Sequence, residues 1–200
     1  MRALLLIRHG ALVGDAERRF VGATDLPMSV AGEAQIRDLA ARLVARAPFD
    51  AVYCSDLARS RRAAELLAAG RAIPIHVRPV LREIDMGAWE GLTRSEIAES
   101  QPDEYARRGA DIANFRPPGG ESFADLAARV TPWWRSLFAE GEAGVVAVAG
   151  HAGVNRVILC DALGMPLANL FRIAQRPGCV NVIEPGRDGP IVRLLDGGWL

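Results

Sequence analysis

Nothing limits the fold of this chain more than an alternation. Short apolar runs bounded by turn formers keep giving way to longer stretches with hydrophobic residues at helical spacing. The runs are Leu4-Leu5-Leu6-Ile7, Ala51-Val52-Tyr53-Cys54, Ile75-His76-Val77 and Val145-Val146-Ala147-Val148, and their length and flanks predict central strands. Between them, Ser29 can cap a helix in which Ile36, Leu39, Ala40, Leu43 and Val44 share a face as far as about Ala47. Leu57 to Ala69 predicts a second helix. Ser122, with Asp125 in the acidic third position, opens another that carries Phe123, Leu126, Ala127 and Val130 on one face, and Pro132 should kink or restart it. Val154 to Leu163 predicts a further helix that stops near Gly164-Met165-Pro166. Such an order implies an α/β fold, a three-layer sandwich whose mostly parallel central sheet is covered by helices on both faces. Val180 to Glu184 and Ile191 to Leu195, joined through Pro185-Gly186 and Gly189-Pro190, predict a late antiparallel pair at one edge, with no part in the chemistry.

A chain of 200 residues, half of them hydrophobic, is enough for one sizeable core, so a single domain over residues 1–200 is expected. No repeat, low-complexity tract or Gly/Ser linker divides it, and Pro117-Pro118-Gly119-Gly120 reads as a loop within the domain. The 24 basic and 24 acidic residues cancel, so no overall field draws the protein to nucleic acid or to an anionic membrane. Ala3 to Ile7 is too short for a membrane span or a signal core. Cys54, Cys160 and Cys179 suit neither a disulfide framework nor a metal site, which points to a reducing cytoplasm. No distinctive apolar stripe identifies a subunit interface, and a homodimer is left open.

In sheets of this type ligands sit beyond the carboxyl ends of the strands. Arg8-His9-Gly10 follows the first strand, Gly150-His151 follows the Val145 run, and Ser55-Asp56-Leu57-Ala58-Arg59 follows the Ala51 run. Two imidazoles and two guanidiniums can thus converge on one small volume. A phosphate dianion accounts for that inventory, because guanidinium forks match its oxygens and helix N-termini add N–H donors. Without an anion such cations would repel by a few kcal/mol at an effective dielectric near 20. The same field holds His9 neutral enough to attack phosphorus, and the arginines can supply the neutralisation that a metal supplies elsewhere. No cofactor or metal is called for. The departing alkoxide needs a proton, and a carboxyl beside a bound dianion has its pKa raised. Glu83, after the expected Ile75 to Val80 strand, is the first choice, with Asp85 and Glu90 as competitors that spacing does not rank.

Arg8-His9-Gly10, Ser55-x-Leu57-x-Arg59, Glu83-x-x-x-Gly87-x-Trp89-Glu90-Gly91, Gly119-Gly120-Glu121-Ser122 and the strand-borne His151, in this order, resemble the histidine phosphatase superfamily with its phosphoglycerate mutase-like fold. The resemblance spans Met1 to about Arg172. It implies that His9 becomes phosphorylated, that Arg8, Arg59 and His151 bind the transferring phosphoryl group, and that Glu83 donates the proton. It also implies that backbone at Val21 and Gly22 lies near substrate, and that Ala152 offers its N–H to the phosphate although the family usually has glycine there. Ala11-Leu12 stand where the family commonly has Glu-Thr or Glu-Ser, Asp15 where an asparagine often contacts phosphate, and Arg62-Ala63 where Gln-Thr is frequent. A carboxylate at Asp15 would weaken phosphate affinity, whereas Arg62-Ala63 would alter packing. His76 reads as structural, Arg61, Arg62, Arg107 and Arg108 as solvated charges, and Trp89, Trp133 and Trp134 as packing residues. Glu121 and Ser122 read as a helix start.

Mutases of the superfamily tend to be longer. Here a small lid insertion at about 90–118, with room for two short helices, leaves phosphohistidine open to water. The resemblance therefore implies a metal-independent phosphomonoesterase acting on a small phosphorylated metabolite. The stretch Pro118 to Ser122, the run Gly153-Val154-Asn155-Arg156 and the entry Gly178-Cys179-Val180-Asn181 are most similar to α-ribazole phosphatase-type members of cobalamin assembly. Broad-specificity sugar-phosphate phosphatases, phosphoglycerate mutases and a non-catalytic phospho-ligand or protein-binding module are the alternatives.

Overall fold

The computed structural model describes residues 1–14, 19–139 and 144–197; Asp15 and the side chain of Val44 lie outside the described residues. The strands are β1 (Ala3–Arg8), β2 (Ala51–Cys54), β3 (Ile75–Val77), β4 (Val145–Gly150), β5 (Val180–Gly186) and β6 (Gly189–Gly197). The helices are α1 (Val30–Arg46), α2 (Ala58–Ala68), α3 (Arg94–Ser100), α4 (Pro102–Ala110), α5 (Phe123–Ala139) and α6 (Ala152–Ala162). The sheet order is β3-β2-β4-β1-β5-β6. The first four of these are parallel, while β5 runs antiparallel to β1 and β6 antiparallel to β5. The mostly parallel α/β sandwich and the late antiparallel pair are thus as the sequence implied.

Each central strand divides its side chains between two cores, as alternation requires. Leu4, Leu6, Val146 and Val148 join the core under α5 and α6, while Leu5, Ile7, Ala147 and Ala149 join the one under α1 and α2. Ser29 caps α1 as expected, its hydroxyl accepting the Gly32 N–H at 3.0 Å. Ser122 and Asp125 exchange side-chain and backbone bonds at the start of α5.

Two expectations need correction. The Ile75 run is the edge strand rather than a central one, with Ile75 38% and Val77 36% exposed. It also ends at Val77 instead of Val80, because Pro79 has no N–H for a ladder and opens a 3₁₀ turn over Pro79–Leu81. Nor does Pro132 restart the helix, since α5 runs from Phe123 to Ala139 with the proline inside it. Leu126, Val130, Trp134 and Leu137, all buried on one face, hold the helix together across the missing bond.

Parallel pairing of β1 with β4 places Arg8 opposite Gly150, and the His9 N–H donates to the Gly150 carbonyl at 3.1 Å. Consequently His9 and His151 leave the sheet side by side. There Gly10 lies so close to Gly32 of α1 that an added Cβ would sit 2.1 Å from the Gly32 carbonyl oxygen.

Candidate active site

His9 is 4% exposed. Its Nδ1 lies 2.8 Å from the Gly10 carbonyl oxygen, which can only accept, so Nδ1 carries the proton and Nε2 keeps its lone pair. His151, the N-cap of α6, is fully buried. Arg59 Nε donates to its Nδ1 at 3.3 Å, so the proton sits on Nε2 and points to Ser55 Oγ at 2.8 Å. The two rings meet edge to face with centroids 5.4 Å apart. Burial, then the charges of Arg8 and Arg59, lowers the His9 pKa to about 3 against the donation to Gly10. Burial, then His9, Arg59, Arg8 and Arg129, holds His151 well below the ordinary imidazole value.

These shifts have a consequence for stability. In the unfolded chain the imidazoles regain a value near 6.5 and take up protons that the folded chain refuses. Stability is therefore full above about 6.5 and falls as the pH drops toward 3. The expected loss between pH 6.5 and pH 4 is on the order of a few kcal/mol, read as a falling Tm that added inorganic phosphate partly restores. A Tm unaffected by pH over that window would contradict this account of the pocket.

Arg8 donates through Nη1 to the Gln175 carbonyl at 2.6 Å, and its buried Nε has no partner. Gln175 belongs to a buried amide cluster: its side chain bonds Asn155 at 3.0 Å and Asn181 at 2.9 Å. Arg59, 1% exposed, donates to the carbonyls of Thr24 at 2.6 Å and Gly22 at 2.5 Å as well as to His151. Three of its five N–H donors are thereby used. Arg59 forms no ion pair among the described residues, and burial lowers its pKa.

The loop that Arg59 braces is held from beneath by Glu90. That carboxylate accepts the N–H groups of Gly22 at 3.0 Å, Ala23 at 2.7 Å and Thr24 at 3.3 Å, the Thr24 hydroxyl at 2.6 Å and the Met86 N–H at 3.0 Å. Glu90, a competitor for the proton-donor role, is committed to this loop. Gly22 gives its N–H to Glu90 and its carbonyl to Arg59, and Val21 packs toward the α1 and α2 core. Asp85, the other competitor, closes its own turn by accepting the Gly87 N–H at 2.8 Å.

Glu83 is buried at the N-terminus of α6. One carboxylate oxygen accepts the Gly153 N–H at 2.9 Å and the other the Ile84 N–H at 2.9 Å. A Cβ on residue 153 would lie 2.3 Å from Glu83 Oε1, so only glycine admits the carboxylate there. Ala152 opens the same helix, where its N–H has no intrahelical partner.

Leu12 is buried and bridges to Met28, Ala63 is buried in α2, and the partly exposed Arg62 pairs with Glu33 at 2.9 Å. His76 lies against Tyr53 with centroids 4.9 Å apart. Trp89 and Trp134 are buried. Arg61 is exposed and Arg107 pairs with Glu104 at 2.7 Å. Arg108 departs from the expected solvated face: its guanidinium lies 5.3 Å from the Phe20 ring centroid and 5.7 Å from that of Phe171. Ser55, Gly153, Asn155, Gln175 and Asn181 are the neighbours that sequence reading left without a role. Ser55 stood directly at a strand end, and Gly153, Asn155 and Asn181 lay in runs that carried the family resemblance, whereas nothing marked Gln175.

The arrangement sets one imidazole lone pair, free at Nε2, under the charges of Arg8 and Arg59, with the Glu83 carboxylate bonded to the N-terminus of α6. Residues 4–196 match the family model described as histidine phosphatase superfamily (branch 1). The chain is 31% identical over 181 residues to the adenosylcobalamin/alpha-ribazole phosphatase of Salmonella typhimurium, covering 90% of this chain and 89% of that one. It is 32% identical over 166 residues to 2,3-bisphosphoglycerate-dependent phosphoglycerate mutase 2 of Gloeobacter violaceus, covering 80% and 75%. The crystal structure of the alpha-ribazole phosphatase from Shigella flexneri superposes with a TM-score of 0.87 at 26% identity, covering 98% of this chain and 96% of that one.

Proposed function

Because the chain belongs to the histidine phosphatase superfamily, we propose that it hydrolyses a small phosphomonoester through a phosphohistidine on His9, with α-ribazole 5′-phosphate as the first candidate substrate. The observation that carries this reading is the His9 tautomer: with Nδ1 tied to the Gly10 carbonyl, Nε2 keeps its lone pair free beside the His151 ring and under the charges of Arg8 and Arg59.

In the first step Nε2 of His9 attacks phosphorus and the P–O bond to the leaving group breaks. The departing oxygen takes a proton from the Glu83 carboxyl. Arg8, whose buried Nε lacks a partner, and Arg59, with two donors unspent, neutralise the transferring phosphoryl oxygens. The Ala152 N–H at the start of α6 adds a donor. In the second step water attacks the phosphohistidine, Glu83 takes up a proton from that water, and the P–N bond breaks to release phosphate and neutral His9. The first step uses Glu83 as its neutral acid, although both its oxygens accept backbone N–H groups. A bound dianion supplies the missing push, since negative charge nearby favours the neutral acid.

Hydrolysis rather than mutase chemistry is supported by the shortness of the stretch between Trp89 and Pro117, which holds only α3 and α4. The α-ribazole assignment is supported by similarity to relatives bearing that name. Turnover of p-nitrophenyl phosphate in EDTA, followed by a phosphomonoester panel, tests the reading. The panel includes α-ribazole 5′-phosphate, sugar phosphates, and 3-phosphoglycerate primed with the bisphosphate. Metal-free turnover with α-ribazole 5′-phosphate preferred is expected. Interconversion of phosphoglycerates would make the protein a mutase, and phosphate binding without turnover would make it a non-catalytic binding module.

A further inference from the structure

The proposed acid, Glu83, is fixed through its side chain to α6, but its backbone lies in an irregular segment that follows the edge strand. That segment has no sheet partner to locate it, and a displacement of about 1 Å in such a group can cost a hundredfold in rate. One side chain grips it at several points. Arg129, on α5, donates Nη1 to the Val80 carbonyl at 2.6 Å and Nη2 to the Glu83 carbonyl at 3.2 Å. Its Nε and Nη2 also meet the two oxygens of Glu121 at 2.9 Å each. Glu121 in turn accepts the Asp85 N–H at 3.1 Å and donates its own N–H to the Asp85 carbonyl at 2.8 Å. The fork thus brackets Glu83 from three residues before it to two after it. The pair is half-buried, and bidentate geometry gives it a directional stiffness that a lone lysine or a surface pair lacks. Behind the segment, Gly87 and Gly120 press together so closely that a Cβ on Gly87 would lie 2.5 Å from the Gly120 nitrogen.

We propose that Arg129, oriented by Glu121, is a positioning residue that sets where the Glu83 carboxyl meets the leaving oxygen. The inference rests on the reading of Glu83 as proton donor. It also gives the Gly119-Gly120-Glu121-Ser122 stretch a task beyond starting α5: its glutamate carries the orientation of Arg129 to the segment that bears the acid.

A leaving group that departs without help separates positioning from mere stability. p-Nitrophenolate needs no proton, whereas the alkoxide of glycerol 1-phosphate does. The variants Arg129→Met, Glu121→Gln, Glu83→Gln and Glu83→Gln/Arg129→Met are assayed on both esters. Read as kcat/KM, which reports phosphohistidine formation and not the shared hydrolysis in which Glu83 acts as base, Arg129→Met is expected to lose about 100-fold on the alkyl ester and less than about 10-fold on the aryl ester, matching Glu83→Gln in direction. Glu121→Gln keeps one carbonyl acceptor and follows the same order more weakly, and it serves if Arg129→Met does not fold. The double variant should be no slower on the alkyl ester than Glu83→Gln alone, because both changes disable one function. Equal losses on the two esters in either positioning variant, or additive losses in the double variant, overturn the proposal. If Glu83→Gln itself shows no preference between the esters, the reading of Glu83 falls and the positioning role falls with it. If Glu83→Gln does and the Arg129 and Glu121 variants do not, only the positioning role is refuted.

Discussion

His9→Ala is expected to lower kcat on any phosphomonoester by about 10⁴-fold or more while the chain still folds and still binds phosphate. No other group in the pocket can take over the attack. The only other imidazole there has its Nδ1 lone pair held by Arg59 and its Nε2 proton directed at Ser55. Arg8 and Arg59 remain to bind the anion. The variant should also lose part of the sensitivity to acid, since a side chain whose pKa stands at about 3 in the folded chain has been removed. Steady-state kinetics on p-nitrophenyl phosphate, phosphate binding by calorimetry and Tm between pH 4 and pH 7 check the three parts. A loss of only about 10-fold would place the nucleophile elsewhere.

The second large effect is expected from Arg59→Met. The side chain is buried and serves three acceptors at once, the carbonyls of Gly22 and Thr24 and Nδ1 of His151. Its removal leaves those acceptors unsatisfied, which costs on the order of 3 kcal/mol of stability. Catalysis suffers twice, through the lost charge and through release of the loop that Glu90 holds from below. A fall in kcat/KM of about 10³-fold is expected. Arg59→Lys should recover little, because a compact ammonium cannot span three acceptors that a planar fork reaches together. Denaturant unfolding and kinetics on the two variants check this; near-wild-type activity in Arg59→Lys would show that charge alone is what the site needs.

The layout of the fold was legible because the strands are short, apolar and separated by helices with clear faces. Leu4 to Ile7 and Val146 to Ala149 each had to be buried on both sides, and strands of that kind belong in the middle of a sheet covered by helices. Ile75 to Val77 has the same local appearance, yet it lies at the edge: position in a sheet is set by partners distant in sequence. The helix continues through Pro132 for a similar reason, as tertiary packing on one face of α5 outweighs the lost bond.

In the candidate site, His9, His151, Arg8 and Arg59 were singled out by strand ends and chemical type, and Glu83 by the family resemblance; the structure brings His9, His151 and Arg59 together. What the sequence hid was the division of labour among polar neighbours. Glu90 and Glu83 look alike in the motif that carries both, but one accepts five donors from loop and turn while the other lies at the N-terminus of α6. Arg129 could not be singled out either, being one of two arginines on α5. The amide cluster of Asn155, Gln175 and Asn181 comes from three elements, of which β5 had been expected to carry no chemistry. That strand takes part indirectly, for Asn181 supports the residue whose carbonyl orients Arg8.

The most direct test of the whole account is to quench the protein during turnover of a ³²P-labelled phosphomonoester and locate the label. Alkali-stable, acid-labile radioactivity on the peptide that contains His9, absent from His9→Ala, is the expected result. Turnover with no label on His9 at any time, or label that survives acid on a serine or an aspartate, would contradict it.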